Sequence, residues 1–230
     1  MSKRNKLQKF AEIYSYPHVF ENFNPKEPKL LGEQGKEVEL KGQWASTFFQ
    51  NEHPITLELA CGKGDYTIGL ARRFPDRNFI GVDIKGARIW RGAKTALEDN
   101  LLNVAFLRTR IEQLHYFFGA QEVADIWITF ADPFLSKPNR RLTNPKFLDM
   151  FHPLLQPDGY IHLKTDSLDL YEYTLEVMQD VTNYKIVYQN DDIYSSELYD
   201  DALEIKTFYE ISHLKAGKTI KYILLQRIES

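Results

Sequence analysis

The chain has 230 residues, with 29 Lys and Arg against 32 Asp and Glu, and its net charge of −3 excludes a uniformly basic nucleic-acid binder while allowing a local basic patch. That length suits one α/β domain with an extension better than two domains, and 43% hydrophobic with 13% aromatic residues supply a substantial core. No apolar run is long enough to span a membrane, the start lacks the apolar segment of a secretory leader, and the single cysteine excludes an intrachain disulfide, so a cytoplasmic location is expected.

The first nine residues carry Lys3, Arg4, Lys6 and Lys9 and no acid. They are expected to be a solvated, frayed terminus, with a flexible phosphate-binding arm as the sharper alternative. Residues 10–51 hold Pro17, Pro25 and Pro28, then a short strand over 37–40 and a helix around 44–49. Phe20, Phe23, Trp44, Phe48 and Phe49 are expected to cover the core, which makes 1–52 an N-terminal extension packed on the domain or flexible beside it.

From Ile55 the rhythm is regular. Strands are predicted over 55–59, 78–84, 104–107, 124–130, 160–164 and 184–189, and helices over 65–74, 87–99, 111–118, 144–154 and 167–180. Asp166 or Ser167 caps the last helix, and Pro157-Asp158-Gly159 turns into the fifth strand. Late strands over 203–212 and 219–227 are joined by a hairpin-like turn, Lys215-Ala216-Gly217-Lys218. Alternating strands and helices predict an α/β fold with a mostly parallel, doubly wound sheet and an antiparallel C-terminal element.

In such a sheet, ligands bind beyond the carboxyl ends of the strands. Gly62 and Gly64 follow the first strand, Asp83 ends the second, Arg110 follows the third and Asp132 the fourth. A carboxylate about twenty residues after the glycines implies an adenosine ribose. The stretch Gly62-Lys63-Gly64-Asp65-Tyr66-Thr67 lacks the third glycine of a dinucleotide fingerprint. Glu58, set between Leu57 and Leu59 just before the loop, would repel a pyrophosphate but suits the ammonium and sulfonium of S-adenosylmethionine; its alternative is a solvent-facing strand position. Cys61 reads as a small residue in a tight turn, not a nucleophile, because nothing nearby is built to activate it. Beyond Asp132-Pro133-Phe134 comes a basic cluster, Lys137, Arg140, Arg141 and Lys146, which at the mouth of such a site reads as a phosphate-binding edge.

Several stretches together resemble the bacterial tRNA (guanine-N7-)-methyltransferases. They are Leu57-Glu58-Leu59-Ala60-Cys61-Gly62-Lys63-Gly64, Phe79-Ile80-Gly81-Val82-Asp83-Ile84-Lys85 and Phe130-Ala131-Asp132-Pro133-Phe134, then Arg140-Arg141-Leu142-Thr143, His162-Leu163-Lys164-Thr165-Asp166 and Thr207-Phe208-Tyr209-Glu210, and the likeness covers roughly 47–226. It implies a Rossmann-like class I S-adenosylmethionine-dependent methyltransferase domain over 53–230 that methylates N7 of a guanine in the tRNA variable loop. Asp132 takes the family's catalytic position at the cofactor's reactive end. Glu58, Gly62, Gly64, Asp83 and Asp132 are implied to hold the cofactor, with backbone N–H groups near Arg110 and Ile111. Lys137, Asp166, Thr207, Phe208, Tyr209 and Glu210 are implied to contact substrate, Ser136 being the alternative to Lys137. No metal is implied, and relatives occur as monomers and homodimers. The chain departs from the family in having Phe134 for the usual tryptophan, a shorter loop after it, Arg110 for an acid or amide, and Asp83 for glutamate. Other possibilities for these residues are a methyltransferase acting on another RNA, a protein or a small molecule, a non-catalytic RNA-binding module on the same fold, or a nicotinamide-dependent oxidoreductase, the last weakened by Glu58 and the absent third glycine.

Overall fold

The computed structural model describes residues 4–229, so Lys3 of the basic start lies outside the described residues. The chain divides after Gly119 into two compact units.

The first unit opens with α1 (Lys6–Tyr14) and β1 (Val19–Glu21), followed by β2 (Ile55–Leu59), α2 (Asp65–Arg73), β3 (Asn78–Asp83), α3 (Gly86–Glu98), β4 (Val104–Arg108) and α4 (Leu114–Phe117). Its strands run in the order β1-β4-β3-β2, all parallel. Every residue of β2 and β3 is buried, as expected of parallel strands covered on both faces. The frayed start expected from Arg4 to Lys9 is instead a capped helix. Asn5 accepts from the Gln8 N–H while the Gln8 side chain accepts from the Asn5 N–H, so two orphan donors are satisfied reciprocally. Glu12 of α1 then accepts from the Trp90 indole and from Arg4, which seats α1 on α3.

The strand predicted over 37–40 is reduced to an isolated bridge between Leu31 and Glu37 across a tight turn. Residues 44–49 form a helical turn with π-type bonding, whose Trp44 is fully buried and donates to the Phe117 carbonyl. Phe20 and Phe118 pack on its ring. Phe23 departs from the expected core set: it is 54% exposed, under the Arg108 guanidinium.

The second unit contains β5 (Val123–Thr129), α5 (Pro145–Phe151), β6 (Leu155–Thr165), α6 (Leu168–Val177), β7 (Tyr184–Asn190), α7 (Phe208–Lys215) and β8 (Lys221–Arg227). The strand order is β5-β6-β8-β7, with β5 and β6 parallel and β8 antiparallel to both its neighbours. The predicted turn at Pro157-Asp158-Gly159 is a bulge within β6, where the register jumps from Val123↔Leu155 to Asp125↔Tyr160.

The strand predicted over 203–212 is not one. Asp201–Glu204 is a 3-10 turn and α7 begins at Phe208, because the Thr207 hydroxyl accepts from the Glu210 N–H and caps the helix. The antiparallel partners of β8 are therefore β6 and β7, not a late hairpin strand.

Candidate active site

In the first unit, the loop after β2 is built from left-handed backbone. Ala60, Gly62 and Gly64 have φ of 57°, 58° and 72°. Gly64 has a second constraint, since a Cβ there would lie 2.6 Å from the Phe106 ring. The carbonyl of Lys63 runs so close over α3 that a Cβ on Gly92 would meet it at 2.7 Å. The loop thus exposes bare backbone at the start of α2, the arrangement that lets a ligand approach N–H groups directly.

Asp83 organises this loop. Its Oδ2 accepts from the Gly62 N–H at 3.0 Å and its Oδ1 from the Lys85 N–H at 2.7 Å, tying the loop to the start of α3. A carboxylate offers about four acceptor positions, so these bonds leave capacity for a vicinal diol. Glu58 is 3% exposed, which rules out the solvent-facing alternative. Its Oε2 accepts from the Thr67 N–H at 2.8 Å and from the Thr67 hydroxyl, so the carboxylate sits against the first turn of α2, where the helix dipole favours it. Burial, reinforced by Glu58 and Asp83, pushes the Cys61 thiol well up, and an inert thiol follows. Arg110 is exposed at the end of β4 and precedes a 3-10 turn, Ile111–Gln113. At the same strand end Asn22 donates to Thr109 and Gln113, tying the segment after β1 to the one after β4.

In the second unit, Asp132 is exposed on the turn after β5, and its Oδ1 accepts from the Phe134 N–H at 2.9 Å. Phe130 and Phe134 on either side have φ of 49° and 41°. Two non-glycine residues in left-handed backbone mark a strained turn, a condition that needs support from its surroundings. Arg141 provides it. Contrary to its expected place on a phosphate-binding edge, Arg141 is buried, with Nε donating to the Pro133 carbonyl at 2.8 Å and the guanidinium 4.4 Å over the Tyr173 ring. Lys137, Arg140 and Lys146 are exposed, and Ser136 is exposed beside Lys137. Arg141→Ala is expected to destabilise the chain by ~1–3 kcal/mol, and Arg141→Lys to recover little of that, because lysine lacks the planar fork. A lower urea midpoint with transfer activity impaired in both variants checks this.

The remaining substrate candidates occupy the end of β6 and the start of α7. Asp166 accepts from Lys218 Nζ at 2.6 Å and lies 3.5 Å from His213 Nδ1. His213 in turn stacks on Phe130, joining α7 to the Asp132 turn. Thr207 is the buried cap of α7, while Phe208 and Tyr209 are 62% and 48% exposed. Glu210, expected at the substrate, is fully buried. Its Oε1 pairs with Lys164 Nζ at 2.8 Å and accepts from the Tyr194 hydroxyl at 2.6 Å. Burial pulls the Lys164 ammonium down to about 8, against the opposing pull of Glu210.

This fold is that of the Rossmann-like class I S-adenosylmethionine-dependent methyltransferases, with mostly parallel strands and antiparallel ones at the C-terminal end. The 16S rRNA methyltransferase KamB aligns with a TM-score of 0.63 over 87% of this chain and 99% of its own, at 12% identity. Residues 52–223 match a family model described as "Putative methyltransferase". The tRNA (guanine-N(7)-)-methyltransferase of Bacteroides thetaiotaomicron is 48% identical over 96% of this chain and 84% of its own. That of Christiangramia forsetii is 48% identical over 97% of this chain and 98% of its own. The chain belongs to the tRNA (guanine-N(7)-)-methyltransferase family.

Proposed function

We propose that this protein transfers a methyl group from S-adenosylmethionine to N7 of a guanine in the variable loop of tRNA. The observation that carries the proposal is the end-to-end likeness to relatives of that name. The residues present fit the cofactor. Gly62 and Gly64 bring bare backbone to it, Asp83 keeps acceptor capacity for its ribose hydroxyls, and the buried Glu58 carboxylate suits its cationic end. Backbone N–H groups beside Arg110 and Ile111 add to this set. When bound, the cofactor supplies an electrophilic methyl on a sulfonium.

Guanine N7 carries a lone pair and no proton, so the chain needs no general base. Its work is alignment, together with stabilising the positive charge that develops on the purine. Asp132, an exposed carboxylate on a braced turn, suits that electrostatic task. Asp166, Phe208 and Tyr209 border the base, which is unstacked from the tRNA core, and Phe134 or Tyr209 stacks on it. Lys137, Arg140 and Lys146 take phosphates, as does Lys6 at the start of α1, and binding weakens steeply with salt. The protein works in the cytoplasm as a monomer or homodimer; among the described residues no helix is long and apolar enough to cross a membrane.

The test is transfer from methyl-labelled cofactor to unmodified tRNA, followed by mapping of the labelled nucleotide. Label at a guanine N7 of the variable loop is expected. Label elsewhere, or none with tRNA, overturns the proposal.

A further inference from the structure

The second unit holds a buried ion pair whose lysine has no part in the chemistry above, and a second pair beside it fastens the same helix. Lys164 Nζ donates to the carbonyls of Leu203 and Ile205 at 3.0 and 2.9 Å as well as to Glu210. These three acceptors match the three N–H groups of an ammonium. Two residues on, Asp166 meets His213. Glu210 and His213, three apart, share one face of α7, so the helix is fastened at two successive points.

We propose that Lys164 is a positioning residue for tRNA: with Tyr194 and Glu210 it fixes the segment 201–210, so that the exposed Phe208 and Tyr209 meet the incoming nucleotide at a set angle. Glu210 acts through this network and does not touch the guanine. The inference rests on tRNA being the substrate.

Stability does not account for the pair. Both side chains have no exposure, and desolvation at such sites rivals the Coulombic gain. The lowered lysine value has the same meaning. With its folded value below its unfolded one, the charged lysine weighs against folding below pH 8, and that burden lifts only as pH rises through 8 toward the ordinary lysine range. Glu210 Oε2 is buried with no hydrogen-bond partner, a further cost. Apolar side chains would fill the same volume, but they cannot hold two carbonyls of an irregular segment in fixed directions. Lys206, 4.8 Å over the Tyr194 ring, is the other charge that faces the cluster.

The test uses the full chain with Lys164→Met, the double variant Lys164→Met/Glu210→Met, and Tyr194→Phe. The single Lys164 variant strands a buried carboxylate and is expected to lose much of its stability. The double variant is expected to melt near wild type, to bind S-adenosylmethionine as wild type does, and yet to lose about tenfold or more in kcat/KM for tRNA. Recovery of tRNA activity along with stability in the double variant overturns the inference. If the double variant does not fold, Tyr194→Phe decides: a raised KM for tRNA supports the inference, and wild-type kinetics overturn it. Amide hydrogen exchange of residues 203–211 in the free protein gives a readout independent of activity. Faster exchange in the double variant or in Tyr194→Phe supports the anchor, and unchanged exchange removes it, even if wild-type protein methylates no tRNA and the proposed function itself fails.

Discussion

Replacing Asp132 by Asn is expected to lower the rate of methyl transfer to tRNA by ~10²–10³-fold, the usual loss when one preorganised electrostatic group is taken from a transition state. The two variants at this position separate two roles of one side chain. Asn keeps an oxygen that can accept from the Phe134 N–H, so the turn survives while the charge is lost. Ala removes both, and the left-handed backbone at Phe134 then loses the carboxylate that accepts from its N–H. If charge carries the effect, Asn and Ala fall by similar factors in single-turnover transfer. If the turn carries it, Asn stays near wild type while Ala falls, and the electrostatic role of Asp132 is lost.

Gly64→Ala is expected to destabilise the protein by ~2–5 kcal/mol, combining ~1–2 kcal/mol for left-handed backbone with ~1–3 kcal/mol for overpacking. The overpacking arises from the Phe106 ring atom 2.6 Å from the added carbon. That ring also lies within 3.0 Å of Cβ positions built on Gly81 and Gly92, so it has little room to retreat. An internal control exists. Gly217 has φ of 75° but nothing within 4 Å of an added Cβ, so Gly217→Ala is expected to carry only the backbone penalty. Urea midpoints of the two variants measure the difference, and equal losses would mean that Phe106 yields without cost. Gly64→Ala is also expected to weaken S-adenosylmethionine binding in calorimetry, because the loop cannot keep its path over Gly92.

Two misplaced elements carried their own correction in the sequence. Thr207-x-x-Glu210 and Asn5-x-x-Gln8 both have helix-start spacing, the first within a stretch expected as a strand and the second within a basic start expected to fray. In the structure, capping decides both helices, since each supplies a partner to N–H groups that the preceding chain cannot satisfy.

The sequence by itself determined the alternation of strands and helices, the glycine turn, and the placing of Asp83 and Asp132 at strand ends. These rest on local periodicity and on residues whose backbone or charge has few other uses. Only the tertiary structure decided which side chains face the site and which hold it up. Arg141 turns inward to a carbonyl eight residues away, and Glu210 turns inward to a lysine 46 positions earlier. A charged residue reads the same in a sequence whether it meets solvent, substrate or a buried partner. The desolvation that separates those fates exists only once distant segments have packed around it.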